Sequence, residues 1–151
     1  MTSEYTQQVA QIAGPLEAAM DAMAGTLSAN QEVVLHNLTT PEHSIIKIIN
    51  GHVSGRGNGD HLLAGPEKDT GFALLLQKTN NNKPRTISDY KTVTASGKTL
   101  NSASTIYYSE EGYPLIAFCI NVDPSPYDQI RKSLDALLPS PAEAAEAVDL
   151  N

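Results

Sequence analysis

Apolar residues near the start of the chain recur at steps of three and four positions, the spacing of one face of an amphipathic helix. The stripe consists of Val9, Ile12, Leu16, Met20, Met23 and Leu27. Gly14-Pro15 interrupts the pattern, so we expect a separate short first piece and a main helix with Pro15 at its first position. Two hypotheses remain open for this helix: it packs on the domain's own sheet, or it pairs with a partner helix in a dimer.

Five later segments carry the alternating or β-branched patterns that predict strands. They are Glu32–Leu38, Ser44–Gly51, Thr86–Thr94, Thr99–Tyr108 and Tyr113–Val122. Because side chains alternate between the two faces of a strand, Ile48 and Asn50 are predicted to share one face, together with His52 if the second strand continues. The first two segments are predicted to form a hairpin and the last three a meander.

Turn and helix signals separate and follow these strands. A glycine-rich turn spans 51–59, and Asp69–Gln77 is predicted to be a short helix. After the last strand, Ser125 is the predicted N-cap of a final helix, with Pro126 at the first helical position and Asp128 at the capping-box position. The apolar stripe of this final helix consists of Ile130, Leu134, Leu137 and Leu138.

The order of elements is therefore helix, two strands, short helices, three strands and helix. This order predicts an α+β, PAS-like fold: a five-stranded antiparallel sheet with flanking helices, and a pocket between the sheet and the short helices. We expect 1–28 to be an N-terminal helix and candidate dimerisation element, and 29–138 to be the PAS-like domain. The acidic, Pro- and Ala-rich 139–151 reads as a tail or linker.

Charge and composition exclude several classes of function. Seventeen acidic residues against ten basic ones give a net charge of −7, so we expect this domain to repel nucleic acid. The sequence shows no run of 18 apolar residues and no secretory signal pattern, so no membrane partner is expected. The single Cys119 fits a reducing cytoplasm, where we expect the protein to act.

The chemical motifs favour binding over catalysis. Gly51-His-Val-Ser-Gly55 places its serine one position away from a nucleophile elbow, and Gly55-Arg-Gly-Asn-Gly59 lacks the Lys-Ser/Thr of a phosphate loop. The histidines at 36, 43, 52 and 61 lack zinc-site spacing, and Cys119 has no partner cysteine. We therefore expect no catalytic residue, no metal and no cofactor.

Polar residues in or beside the apolar strands are the candidate ligand-binding groups. They are His36, Asn50, His52, Arg56, Ser104 and Asn121. Their imidazole, amide and hydroxyl groups offer donors and acceptors to a polar ligand, and the planar guanidinium of Arg56 can hold a carboxylate. Structural alternatives are a core histidine at His36, and an Arg56 paired with Asp60 or a strand end. Ser104 equally fits a polar outer face, and Asn121 a hydrogen bond to a neighbouring loop.

Two blocks of the chain resemble the YheO-like PAS domain, the N-terminal half of a family of bacterial helix-turn-helix regulators. The first block is Glu32-Val-Val-Leu-His36, then Ser44-Ile-Ile, then Ile48-Ile-Asn-Gly-His-Val-Ser-Gly-Arg56 through Gly59. The second is Ser102-Ala-Ser-Thr-Ile106, Gly112 and Phe118-Cys-Ile-Asn-Val-Asp123. The resemblance rests above all on two specific motifs in this order, Asn-Gly-x-x-x-Gly-Arg and Cys-Ile-Asn.

The chain also departs from the family pattern. His36-Asn37 stands where the family usually has His-Asp, and the connector after Gly59 is longer, through His61-Leu-Leu-Ala-Gly-Pro66. The pocket-side helices are therefore expected to differ. Family members continue into a DNA-binding helix-turn-helix, so we expect contact with DNA only through a C-terminal domain absent from this chain.

The resemblance implies a domain that senses a small polar metabolite, such as an amino acid or a similar carboxylate, in a homodimeric bacterial transcriptional regulator. Ligand binding would then regulate the helix-turn-helix domain. One alternative is a ligand-free dimerisation or protein-interaction module, in which side chains fill the pocket. Another is a small enzyme that uses His36 or His52 as a base.

Overall fold

The computed structural model describes residues 3–57 and 76–139 of the chain. Its helices and strands are α1 (Ser3–Met23), β1 (Gln31–Asn37), β2 (Ile45–Ile49), β3 (Arg85–Val93), β4 (Thr99–Tyr108), β5 (Pro114–Val122) and α2 (Ser125–Leu137). Two short 3₁₀ turns, Pro41–His43 and Gly51–Val53, follow β1 and β2. The predicted helix at Asp69–Gln77 lies almost wholly outside the described residues.

The five strands form one sheet in the order β2-β1-β5-β4-β3, and every neighbouring pair is antiparallel. β1 therefore pairs with the last strand, β5, which lies at the centre of the sheet as its apolar sequence favours. This sheet, with helices beside it, confirms the predicted α+β, PAS-like fold.

Helix α1 covers one face of the sheet. Val9, Ala13 and Met20 are buried against strand residues, including Val33 and Leu35 of β1. The apolar stripe found in the sequence thus packs on the domain's own sheet, which was the first of the two hypotheses for this helix. Burying a side chain of the size of Met20 stabilises the fold by roughly 1.5–3 kcal/mol. Helix α1 therefore contributes to the hydrophobic core.

The predicted break at Gly14-Pro15 is wrong, because α1 continues through Pro15. Proline removes one helical hydrogen bond and is unfavourable inside a helix. Buried residues on both sides of the proline, Ala13 before it and Met20 after it, contact the same face of the sheet. Packing on both sides therefore keeps the two halves in one helix.

Two local predictions at strand and helix ends are also wrong. β2 ends at Ile49, and Asn50 adopts a left-handed backbone conformation with φ 58°, so Asn50 and His52 do not continue the alternation of the strand. Helix α2 includes Ser125 as a helical residue and has Pro124 at its N-cap. Asp123 forms a local turn just before the helix, since its Oδ1 accepts a hydrogen bond from the Ser125 backbone N–H at 3.0 Å.

Candidate functional site

The face of the sheet opposite α1 carries buried polar side chains among apolar ones. Six of them lie on four different strands: Glu32, His36, Thr92, Ser102, Ser104 and Asn121. They share a face because they alternate along their strands with residues such as Val33 and Leu35, which pack under α1. We call this surface the polar face.

A row of hydrogen bonds crosses the polar face from β1 to β3. Glu32 is the register partner of Asn121, which is in turn the register partner of Ser102. Asn121 Nδ2 donates to Glu32 Oε1 at 2.8 Å, and Ser102 Oγ donates to Asn121 Oδ1 at 2.6 Å. Thr92 Oγ1 lies 2.7 Å from Ser102 Oγ. Because the one hydroxyl proton of Ser102 is already used, Thr92 is the donor in that last bond.

Glu32 anchors this polar row, because an ionised carboxylate accepts hydrogen bonds and donates none. Its side chain is fully buried. The Ser54 backbone N–H donates to Glu32 Oε2 at 3.1 Å, and the Ser54 hydroxyl donates to the same oxygen. Arg56 Nη2 lies 3.4 Å from Glu32 Oε1, and Arg56 Nε donates to Ser54 Oγ at 3.1 Å. The glycine-rich turn after β2 is thus tied to the row.

The ion pair between Glu32 and Arg56 is nearly dry. The Arg56 side chain is 9% exposed and the Glu32 side chain 0%. Arg56, predicted to hold a ligand or to pair with Asp60 or a strand end, therefore has Glu32 as a partner. Sequence reasoning missed Glu32 as a site residue. The available signal was its position two residues before Val34 and four before His36, which places Glu32 on the same face of the strand as these two residues.

His36 and Ser104 occupy the same polar face without charge. Burial, followed by the nearby positive charge of Arg56, lowers the pKa of His36 to about 3, so its imidazole is neutral at physiological pH. His36 Nδ1 lies 2.9 Å from Ser44 Oγ. The Ser104 hydroxyl is hydrogen-bonded to the Tyr90 hydroxyl. Beside them, burial raises the pKa of the Cys119 thiol to about 11, which keeps it protonated and unreactive.

Asn50 and His52 lie elsewhere and hold the segment between α1 and β1. Asn50 Nδ2 donates to the carbonyl oxygens of Ser28 at 3.1 Å and Gln31 at 2.8 Å. His52 Nε2 lies 2.6 Å from the Ala29 carbonyl oxygen, which makes that nitrogen the donor. The structure thus brings together four of the six predicted site residues on or against the polar face, and these two are not among them.

Two open clefts are present on the described surface. One, of about 400 Å³, is lined by His52 together with residues around the start of α2, such as Lys98 and Asp123. The other, of about 340 Å³, lies beside β3 and β4 and contains none of the six predicted residues. Neither cleft therefore gathers the predicted ligand-binding set.

The end of the polar row is linked to the start of α2. Asn30 and Asp123 exchange two hydrogen bonds of 2.9 Å: the Asp123 backbone N–H donates to the Asn30 carbonyl oxygen, and Asn30 Nδ2 donates to the Asp123 carbonyl oxygen. Lys98 Nζ lies 3.3 Å from Asp123 Oδ2. The hydrogen bond from the Ser125 backbone is the main cause of the lowered pKa of Asp123. Asn30 and Asp123 each stand two residues from a member of the row, Glu32 and Asn121.

Other site types receive no support from the described residues. Within 3–57 and 76–139, no three His, Cys, Asp or Glu side chains are grouped so that they could hold a metal ion. None of the helices described here combines the length and the apolar character needed to cross a membrane.

The sheet order, with a helix on one face and buried polar groups on the other, is that of a PAS-type domain. Comparison with known proteins narrows this class: residues 7–139 match the YheO-like PAS domain family, and the chain belongs to that family.

Two relatives of the chain are full-length proteins about twice as long as the matched region. The chain is 28% identical over 118 residues to the transcriptional regulator DauR of Pseudomonas aeruginosa, a match that covers 78% of this chain and 50% of that protein. It is also 28% identical over 120 residues to an uncharacterised protein of Haemophilus influenzae, covering 79% of this chain and 50% of that protein. The chain spans about half the length of these curated relatives.

Proposed function

We propose that this chain is the sensor domain of a bacterial transcriptional regulator and that it binds a small polar metabolite over the polar face. The observation that carries the proposal is the buried row of Glu32, Asn121, Ser102 and Thr92 in an otherwise apolar sheet. Buried polar groups cost free energy unless they are paired. The members of this row are paired with one another, and the same donors and acceptors can line a binding site for a polar ligand.

The charge of the site favours a ligand that carries both signs. Glu32 and Arg56 offer one negative and one positive group 3.4 Å apart, while His36 is neutral. A lone carboxylate facing Arg56 would have to compete with Glu32. An amino acid offers a carboxylate to Arg56 and an ammonium to Glu32, so that both buried charges remain compensated. We therefore favour a zwitterionic amino acid over a simple organic acid.

Ligand binding would be transmitted to the rest of the regulator through the first residues of α2. A ligand that takes over hydrogen bonds from Asn121 or Glu32 shifts the end of β5 or the start of β1. Those ends are joined by the paired Asn30 and Asp123, and α2 begins directly after Asp123. A ligand that prefers one arrangement of this joint shifts the population toward it. A helix-turn-helix domain outside this chain, working in the cytoplasm, would receive the change.

The test is a calorimetric titration of the chain with amino acids and organic acids, preceded by a thermal-shift screen of the same compounds. Asn121→Ala removes the central group of the row, so we expect it to weaken binding of the best ligand at least tenfold. Asn101→Ala is the matched control, because Asn101 lies on the opposite face of the sheet and is exposed. The affinity of this control variant for the same ligand should stay within twofold of that of the parent chain. Equal affinity in both variants would contradict the assignment of the site.

A ligand-free interaction module is the second candidate, and one observation favours it. Every buried side-chain nitrogen and oxygen within the described residues has a hydrogen-bond partner, so the polar row is complete without a ligand. In that case no compound would raise the unfolding temperature, and Asn121→Ala would change stability alone. An enzyme with His36 as a base is disfavoured, since burial that lowers its pKa to about 3 makes it a weak base.

A further inference from the structure

The glycine-rich turn after β2 begins with the dipeptide Asn50-Gly51. In an Asn-Gly pair the backbone nitrogen of the glycine can attack the asparagine Cγ, because the glycine has no side chain to hinder the approach. The bond from Cγ to Nδ2 then breaks, ammonia leaves with the proton of the glycine amide, and a cyclic succinimide forms. Water opens this ring to aspartate or isoaspartate, so that a carboxylate replaces the amide without oxidation or reduction.

The folded chain holds Asn50 in a geometry that cannot form this ring. Its backbone is left-handed, with φ 58° and ψ 44°, which turns the Gly51 nitrogen nearly trans to the Asn50 Cβ and away from Cγ. The leaving amide is also held in place, since Nδ2 donates to the carbonyl oxygens of Ser28 and Gln31. Ring closure therefore requires a large rotation about ψ and the loss of both hydrogen bonds.

The contacts of the turn oppose that rotation. The Gly51 carbonyl oxygen accepts hydrogen bonds from the backbone N–H groups of Gly55 at 2.7 Å and Arg56 at 3.2 Å. Gly51 packs so closely on the Arg56 backbone that an added Cβ would lie 2.4 Å from the Arg56 carbonyl oxygen. Ser54 joins the same turn to the buried Glu32 through its backbone N–H and its hydroxyl. The asparagine can therefore react only in chains whose turn has opened locally, a motion that needs no global unfolding.

Conversion of Asn50 would release the segment between α1 and β1. An ionised carboxylate accepts hydrogen bonds and donates none, so an aspartate here would set a negative charge against the carbonyl oxygens of Ser28 and Gln31. Isoaspartate would also lengthen the backbone by a methylene carbon, in a turn whose atoms are already tightly packed. Because Asn30 lies in the released segment and pairs with Asp123, the change would reach the connection to α2.

We propose that Asn50 is a modification site that reacts only when the turn opens: opening allows deamidation, and the product keeps segment 28–31 released. The inference goes beyond the sensor proposal and does not rest on it, since it requires no ligand. Water is the co-reactant, and refolding of the turn does not restore the amide. The fraction of converted chains therefore records how often the turn has opened.

The test is peptide mapping by mass spectrometry during incubation of the full 151-residue chain at mildly alkaline pH. We expect conversion of Asn50 to be at least tenfold slower in the folded chain than in the same chain unfolded in urea. Ser54→Ala removes the hydroxyl contact with Glu32 and should raise the rate in the folded chain at least threefold. Ser133→Ala is the matched control, because Ser133 is exposed on α2, and it should leave the rate as in the parent. Circular dichroism shows whether each variant is folded.

Asn50→Asp tests the consequence of the modification directly. Hydrogen exchange should become faster at the Gln31 amide, which donates to the Ser28 carbonyl oxygen at 3.0 Å, while exchange in β4 stays as in the parent. Asn101→Asp adds the same charge at an exposed position of the sheet and should leave the Gln31 amide unchanged. Equal exchange at that amide in the two variants would overturn the proposal. So would equal conversion in folded and unfolded chains, no conversion in urea, or no acceleration by Ser54→Ala.

Discussion

At the scale of single residues, Glu32 has the largest influence on the polar face. Its carboxylate has no exposed surface and accepts hydrogen bonds from the Ser54 backbone, the Ser54 hydroxyl and Asn121, with Arg56 as its counter-ion. Removing one member of a buried ion pair leaves the other charge uncompensated, which costs more than the pair itself contributes. The fold should therefore be more sensitive to changes at Glu32 than to changes at exposed charges.

We predict that Glu32→Gln lowers the free energy of unfolding by about 3–5 kcal/mol. The substitution removes the carboxylate that pairs with the nearly buried Arg56 and turns an amide N–H₂ toward groups that are themselves donors. Urea unfolding followed by circular dichroism measures the change. Asp21→Asn is the control, because its partner Lys47 and Asp21 itself are both partly exposed; it should cost less than about 1 kcal/mol. Equal losses would mean that Glu32 and Arg56 are well solvated.

His36 should make stability depend on pH. Burial lowers its pKa to about 3 from an ordinary 6.5, so between these values the unfolded chain binds a proton that the folded chain does not. The contribution of neutral His36 to the free energy of unfolding is complete above pH 6.5. It is lost as the pH falls, by roughly 1.4 kcal/mol for each pH unit below about 6.

The measurement is the free energy of unfolding at several pH values between 5 and 7. His36→Asn, which keeps a polar atom near the position of Nδ1, should flatten the dependence on pH over this range. His52→Gln changes an exposed histidine and should leave the slope as in the parent. A slope that survives in His36→Asn would show that other groups cause it.

The residues of the polar face were only partly predictable from the sequence. Asn121, Ser104 and His36 stood out because they interrupt apolar strands whose alternation is visible in the sequence. Glu32 was missed because an acid at the start of a strand usually lies at the surface, and its burial depends on Arg56, which is distant in the chain. Whether any of these residues binds a ligand stays a prediction.

At the scale of elements, the alternating patterns in the sequence predicted where the strands lie, but they did not predict where strands and helices end. Alternation predicted Thr99–Tyr108 as a strand, and the structure has β4 with the same bounds. The predicted second strand ran past Ile49 because nothing local reveals that Asn50 turns left-handed to reach the carbonyl groups of Ser28 and Gln31. Likewise, helix α1 runs through Pro15 because of packing on the sheet, which lies far from Pro15 in the sequence.

The continuity of α1 gives a prediction about Gly14. This glycine is exposed inside the helix, and a Cβ added there meets nothing within 4 Å. Gly14→Ala should therefore stabilise the fold by about 0.5–1 kcal/mol, since glycine is the poorer helix former. Thermal unfolding measures the gain.

Gly112→Ala is the opposite case and serves as the comparison. Gly112 has φ +93°, and its added Cβ would overlap the Thr79 carbonyl oxygen, so this variant should unfold at a lower temperature than the parent. Destabilisation by Gly14→Ala would indicate that α1 is broken at Gly14-Pro15 after all.

At the scale of the whole molecule, the domain joins a polar face to an exposed helix through a short path. The row includes Glu32 and Asn121, and each of these stands two residues from a member of the Asn30–Asp123 pair. Helix α2 begins directly after Asp123 and Pro124. In our account, binding on the polar face is read out as a change in the base of α2. The overall fold was predictable because five strand patterns and two apolar stripes sufficed. The path from the polar face to α2 was not predictable, since it depends on side-chain contacts between residues far apart in the sequence.

The most direct measurement of the sensor proposal is native mass spectrometry of the purified chain, followed by denaturation of the same sample. The account predicts a small molecule that stays with the folded chain, is released on denaturation, and is lost or reduced in Asn121→Ala but retained in Asn101→Ala. A folded chain that carries no bound mass, together with no rise in unfolding temperature across amino acids and organic acids, would contradict it.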